Sequence, residues 1–455
     1  MNTRFYNAKI LLTNDAPADA AARFTITEGE LWVEGTVITY IGDGITIRKP
    51  DPVLEDSHRI YSRRRGPAAD GRTQPVWDRE IDCEGNLLMP GFKNAHSHTT
   101  MTFLRSYADD VPLQEWLYDQ VFPKEDQLTP EIVYDLAVLG NMEYLTSGIT
   151  ANFDMYYFPL TNAQASIDCG FRTIQMGGIN DFGGKLSLID EFCDEIPKMS
   201  DLVSYYVGLH GEYTTSMKLM EGVAALAEKH KSPVFMHNAE THDEVIGCYK
   251  RWGLSPTEVT DRLGMYRYGG GGFHCVWFGE NDFEIFHEKG LTAVTCPASN
   301  LKLASGIAPL KRFADEGIRL AIGTDGAASN NALDMFREMY LASALAKVRE
   351  NDAAGIAAEE ILYAATAGGA QAMQLPDCDR LAPGKKADLI LIDLMQPNMQ
   401  PENNIVKNIV YSGSKQNVKL TMINGRILYE NNQFHIGFDP KDIYRRANEA
   451  IRSMK

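Results

Sequence analysis

Eight short, nearly continuous apolar runs through the middle of the chain alternate with longer stretches of helical periodicity, a pattern that few folds accommodate. The runs fall at 87–95, 148–154, 171–179, 204–210, 233–237, 272–276, 291–296 and 318–325. Between them, segments such as 130–146, 216–229 and 332–348 carry apolar residues three and four apart, as a helix with one buried face requires. A strand that is apolar at consecutive positions is buried on both faces, the condition of parallel strands covered by helices. Eight such strands in series predict an α/β fold, a (β/α)8 TIM-type barrel over residues 89–375.

The flanks read differently. Residues 4–12 and 29–41 alternate as strands, the second segment as a hairpin, and strands return at 388–393 and 418–423. Asn424-Gly425 marks a tight turn into 426–429, and an amphipathic helix begins near Pro440. Apolar strand faces at both ends of a barrel must be buried somewhere. The economical expectation is a small β-sandwich that residues 1–88 and 376–455 build together. Between its strands, Arg63-Arg64-Arg65 and 71–75 read as an exposed loop, and Gly269-Gly270-Gly271-Gly272 as a flexible connector without P-loop chemistry.

Composition narrows the partners. With 44 Lys plus Arg against 61 Asp plus Glu, the formal net charge is −17, which disfavours nucleic acid and anionic membrane surfaces. No apolar stretch approaches the roughly 20 residues of a membrane span, and the N-terminus lacks the pattern of a signal peptide. The 7 cysteines are scattered, with no Cys-x-x-Cys pair, so neither a disulfide framework nor a cysteine zinc site is expected. A cytoplasmic protein acting on a small molecule is the reading that remains.

Histidines carry the chemistry. His96 and His98 flank Ser97 at the end of the first predicted barrel strand, and residues two apart on a strand face the same way. His237 closes the fifth strand, His274 lies on the sixth and Asp325 follows the eighth. Each of them alone reads more simply as a satisfied polar core residue. Together, at strand ends that open onto one barrel face, imidazoles and a carboxylate suit a divalent ion such as Zn²⁺.

Pro90-Gly91-Phe92-Lys93-Asn94-Ala95-His96-Ser97-His98, His237-Asn238-Ala239-Glu240 and 323–331 resemble the amidohydrolase superfamily. Within it, 101–105, 113–117 and 297–303 are most similar to the methylthioadenosine/S-adenosylhomocysteine deaminase group. The resemblance implies a deaminase acting on a purine nucleoside or a related N-heterocycle. It implies His96, His98, His237 and Asp325 as metal ligands, Glu240 as proton shuttle, and His274 beside the attacking water. Asp325 would also accept a proton, His210 would contact the substrate, and Glu115 would bind sugar hydroxyls. Two-metal members of the superfamily bridge their ions with a modified lysine at the end of strand four. Residues 205–210 hold no lysine, so a single ion is expected, Zn²⁺ first and Fe²⁺ or Mn²⁺ as alternatives. The group is commonly dimeric or tetrameric, so a homo-oligomer is expected.

Two departures bear on the substrate. His210-Gly211-Glu212-Tyr213 lacks the group's proline, and Glu212 reads as a solvated loop acid or, alternatively, as a selector of basic substrates. The arginines that grip an amino-acid tail have only Lys185 as a counterpart, and no arginine stands near Gln175. Lysine offers a point charge, not a carboxylate-gripping fork. Neutral-tailed 5′-substituted adenosines are therefore expected over S-adenosylhomocysteine. Base deaminases of the guanine or cytosine type, s-triazine hydrolases and a catalytically silent binding barrel remain alternatives. Trp116 and Trp277 are candidates for the pocket wall or the core, and His242 for a second layer around the site or a plain helix start.

Overall fold

The computed structural model describes residues 1–14, 20–43, 76–111 and 115–454; the arginine run at 63–65 and the segment 71–75 lie outside the described residues. The first five strands are β1 Asn2–Thr13, β2 Phe24–Glu34, β3 Val37–Gly42, β4 Arg79–Asp82 and β5 Leu87–Pro90. Nine follow in the barrel: β6 Phe92–Ser97, β7 Ile149–Asp154, β8 Arg172–Met176, β9 Val203–Tyr206, β10 Gly208–Gly211, β11 Val234–Asn238, β12 Gly270–His274, β13 Thr292–Thr295 and β14 Arg319–Ile322. The last are β15 Leu389–Ile392, β16 Val418–Ile423, β17 Arg426–Glu430 and β18 Gln433–Phe434.

Both ends of the chain meet in one sheet, ordered β18-β17-β16-β15-β5-β1-β2-β3, with β4 paired to β1. Period two sorts its side chains: Leu88, Leu389 and Leu391 face a core shared with Phe5, Ile10 and Leu31, while Leu87, Met89, Ile390 and Ile392 face the barrel. The Ile38 N–H donates to the Lys385 carbonyl at 2.8 Å and the Ala387 N–H to that of Thr36 at 2.9 Å, so β3 returns to the segment entering β15. The expected sandwich is thus one continuous sheet folded over its own core.

The barrel strands form two parallel sets, β6-β7-β8-β9 and β10-β11-β12-β13-β14. The fourth predicted strand is broken at Val207 into β9 and β10, and His210 N–H to Ile179 O at 3.0 Å binds its second half to the end of the third. Across the other seam, Asp325 N–H donates to His96 O at 3.0 Å.

Two sequence expectations are corrected. The run 87–95 is not one barrel strand: Gly91 N–H bonds Asp388 O at 3.1 Å whereas Phe92 N–H bonds Gly148 O at 2.9 Å, so the chain leaves the sheet and enters the barrel between them. The glycine run is not a connector, since Gly270, Gly271 and Gly272 begin β12. A Cβ on Gly270 would stand 2.0 Å from the Val234 oxygen and one on Gly271 2.0 Å from that of Thr292, so only glycine lets these strands approach.

The predicted helices appear as Pro130–Thr146, Met217–His230 and Met335–Glu350. The helix Pro440–Ser453 lies on the first of these, with Arg446 2.8 Å from Asp135, so part of 376–455 packs against the barrel's outer helices.

Candidate metal centre and substrate cavity

Strand ends at one mouth of the barrel bring the predicted ligands together. Donor atoms of His96, His98 and Asp325 lie within 4.8 Å of one another, as do those of His96, His237 and His274. Second partners set each ring. His98 Nδ1 is 2.6 Å from Met155 O, His237 Nδ1 is 2.7 Å from His210 O, and His274 Nδ1 is 2.7 Å from Asn300 Oδ1. An imidazole whose Nδ1 donates to an oxygen presents the Nε2 lone pair to the centre. His98 Nε2 is 3.2 Å and His96 Nε2 3.5 Å from Asp325 Oδ1. The other carboxylate oxygen, Oδ2, accepts from Ser299 Oγ at 2.6 Å and Ser329 Oγ at 2.9 Å, which fixes the plane of the group.

His96 decides what the cluster is for. It is fully buried, and neither ring nitrogen has a hydrogen-bond partner. Such an imidazole costs free energy unless something takes its lone pair. The donor set around it fits a divalent cation. Burial, with smaller contributions from neighbouring rings, holds His237 well below its ordinary value, and burial does the same for His96, so both are neutral as ligands must be. At His98 burial opposes the charged form, but Asp325 outweighs it and pushes the ring up to about 9; a cation would displace that proton. The backbone is strained here as well: Ala239, His274 and Asp325 adopt φ of 51°, 71° and 58°, which side-chain-bearing residues rarely do.

Glu240 stands at the edge of the cluster. Its Oε1 accepts from Ser305 Oγ at 3.1 Å, and Oε2 is 3.8 Å from His274 Nε2. Beside it opens a cavity of about 390 Å³ whose wall includes Met101, Trp116, Leu117, Phe122, Tyr156 and Phe192. That size and apolar character suit a flat heterocycle.

The remaining sequence candidates separate. His210 is in the wall, its Nδ1 2.9 Å from Thr214 Oγ1, and Lys185 joins it there, exposed, ahead of the helix Leu186–Met199. Trp116 lines the cavity; Trp277 does not, being 43% exposed with its Nε1 donating to Ser305 O at 2.7 Å. His242 is an exposed helix start. Glu115 is exposed and outside the wall, next to 112–114, which are not described. Glu212 is neither solvated nor a selector. It is buried, accepting from Arg251 Nε at 3.1 Å and Trp252 Nε1 at 2.6 Å, and so ties the loop after β10 to the helix His242–Trp252. Sequence reasoning missed Glu125 and Tyr156 in the wall and the serines that hold Asp325 and Glu240. Ser299 and Asn300 lay within a motif already noticed, but nothing local gave them partners.

The comparisons agree with this geometry. Residues 87–428 match the Amidohydrolase family. A 5-methylthioadenosine/S-adenosylhomocysteine deaminase of Caldicellulosiruptor saccharolyticus is 39% identical over 350 residues, 77% of this chain and 82% of that protein. A 5′-deoxyadenosine deaminase of Methanobrevibacter smithii is 36% identical, covering 83% of this chain and 89% of its own. A crystal structure of an adenosine deaminase from Xanthomonas campestris with bound zinc superposes with a TM-score of 0.85 at 30% identity, covering 99% of both chains. With its barrel, its histidine–aspartate cluster and a match running across both, this chain belongs to the Amidohydrolase family.

Proposed function

We propose that the protein is a deaminase that replaces the amino group of a purine nucleoside by oxygen, with one divalent ion, zinc, held by His96, His98, His237 and Asp325. The observation that carries this reading is the fully buried, unpartnered His96 at the centre of a donor cluster opening onto a cavity of heterocycle size. A divalent ion held by these residues would supply Lewis acidity to the site. The chain's own residues do the rest. Asp325 would accept a proton from the attacking water as the water's oxygen adds to the ring carbon bearing the amine. Glu240, steadied by Ser305, delivers a proton to the neighbouring ring nitrogen. His274, aligned by Asn300, orients the attacking oxygen. Return of a proton to the departing amine releases ammonia and leaves the ring carbonyl.

Lys185 is the one Lys or Arg in the wall among the described residues, which supports 5′-substituted adenosines with neutral tails over S-adenosylhomocysteine. The reading includes a cytoplasmic homo-oligomer, dimer or tetramer, without nucleic acid. It also divides the chain into a composite unit, 1–88 with 376–455, and a barrel unit, 89–375. No helix among the described residues is long and apolar enough to cross a membrane.

An ammonia-release panel tests the proposal, with elemental analysis of the same sample. It would include 5′-deoxyadenosine, methylthioadenosine, S-adenosylhomocysteine, guanine, cytosine and an amino-s-triazine. The expected result is one equivalent of zinc per chain and the highest kcat/KM on a neutral-tailed nucleoside. S-adenosylhomocysteine at the top would refute the tail assignment, and activity confined to bases or triazines would refute the nucleoside.

A further inference from the structure

Three carboxylates among the described residues have a buried oxygen with no hydrogen-bond partner, those of Asp135, Asp154 and Asp379. In two of them that same oxygen has a basic neighbour: Asp135 Oδ1 is 2.8 Å from Arg446, and Asp379 Oδ1 is 3.0 Å from Lys385. Asp154 differs. It is 1% exposed, its Oδ2 is bare, and no Lys or Arg among the described residues pairs with it. Burial pushes its carboxyl up, while hydrogen bonds from Thr99 and the charge of His98, one of the proposed metal ligands, pull the other way.

Asp154 ends β7, beside the turn that leaves β6. Its Oδ1 accepts from Thr99 N–H at 2.7 Å and from Thr99 Oγ1 at 2.6 Å, so it grips the residue that follows His98. The next residue, Met155, gives its N–H to Ser97 O at 2.9 Å and has its own carbonyl oxygen 2.6 Å from His98 Nδ1. Two consecutive residues thus hold His98 by its ring and by the backbone on both sides. A buried carboxylate with a bare oxygen costs free energy unless a positive charge answers it. Three neutral imidazoles and one carboxylate leave a divalent ion one positive charge in excess. Asp154 supplies a negative charge from behind the ligands without taking a coordination position.

We propose that Asp154 is a positioning residue of the metal centre, which orients His98 through Thr99 and Met155 and balances the charge of the bound ion. The inference rests on the metal assignment above and deepens it; it does not depend on which heterocycle is turned over.

Zinc affinity tests it, read by competition with a chromophoric chelator on native protein, Asp154→Asn and Thr99→Val, together with the melting temperature of each metal-free form. Asparagine keeps an oxygen for both Thr99 donors and removes the charge. Asp154→Asn should weaken zinc binding about tenfold to a hundredfold, the range for groups that support a metal ligand. Its metal-free form should melt no lower than native, because a bare carboxylate has left the interior. Thr99→Val removes one of the two donors that hold the acid and should weaken zinc binding about threefold to tenfold. It decides alone should Asp154→Asn not fold. Zinc affinity within about twofold of native in either variant overturns the proposal. A lowered melting temperature of metal-free Asp154→Asn marks the acid as a strut of the fold and also overturns it. Native protein that takes up no zinc is a different failure, that of the functional reading, and takes the proposal with it.

Discussion

The proposed proton transfer rests on one side chain, Glu240. Its carboxylate meets Ser305 on one side and faces His274 on the other, at the rim of the cavity. Glu240→Gln preserves shape and the serine contact but removes the exchangeable proton. Turnover of the best nucleoside should fall by about a hundredfold to ten-thousandfold with metal content unchanged. Full activity in that variant would eliminate the shuttle role. Glu240 itself was legible in the sequence, standing three residues after His237 at a strand end. Glu125 was not: it sits on a four-residue helix with no periodicity to place it, and its partner Tyr156 comes from beyond β7. Glu212 was misjudged for a similar reason, because its loop position predicts solvent while Arg251 and Trp252 supply the partners that bury it.

At the scale of elements, the helix His242–Trp252 does more than cover the barrel. Thr241 and Glu244 close a reciprocal cap on its first turn. Glu244 also reaches back along the chain, its carboxylate accepting from Ala239 N–H at 2.9 Å and Glu240 N–H at 2.8 Å. The turn carrying Glu240, bent through positive φ at Ala239, is therefore clamped by the helix it leads into. Burial, with the nearby charge of Glu240, pushes Glu244 up to about 8. Glu244→Gln replaces one accepting oxygen by a donor that opposes a backbone N–H. We expect kcat to fall about tenfold to a hundredfold, the usual range for a group supporting a catalytic residue, with KM within about twofold and metal retained. Steady-state kinetics with metal analysis decides; a change in KM alone would deny the clamp. The barrel strands were readable because burial on both faces writes a continuous apolar run. What the runs could not show was where hydrogen bonding changes partner. Nothing in Leu87 to Ala95 announces that Gly91 N–H turns to Asp388 and Phe92 N–H to Gly148. The glycines of β12 misled because glycine speaks for a turn until close strand approach is seen.

Across the whole molecule, sheet and barrel are joined by a buried ion pair. Arg172 on β8 gives Nε to Asp388 Oδ2 at 2.7 Å, with side-chain exposures of 4% and 0%. Asn424 N–H donates to Oδ1 of the same carboxylate at 2.7 Å. Burial opposes ionisation of Asp388, but Arg172 outweighs it and holds the carboxyl below its ordinary value. A depressed carboxyl contributes stability that is complete above its unfolded value, about 4, and is lost as pH falls through the folded value. Asp388→Asn leaves Arg172 buried without its charge partner, and a loss of about 3–5 kcal/mol is expected at pH 7. Denaturant midpoints with chelator in both samples should show that gap, narrowing as pH falls below about 4. A variant as stable as native would mean that the interface does not depend on the pair. That the two chain ends share a sheet was foreseeable from their unpaired strands, whereas the single folded-over sheet was not, because strand order depends on partners remote in sequence.

The pairing of β5 with both β1 and β15 sets a schedule for synthesis. On the ribosome, β1 to β5 emerge early, and the strand that covers β5 arrives only after the whole histidine–aspartate cluster, His96 to Asp325, has been made. Through that interval the nascent protein carries an open, apolar strand edge. Chaperone capture or aggregation should concentrate in chains halted before residue 389, and a stop codon there should forfeit solubility even though the histidine–aspartate cluster is complete.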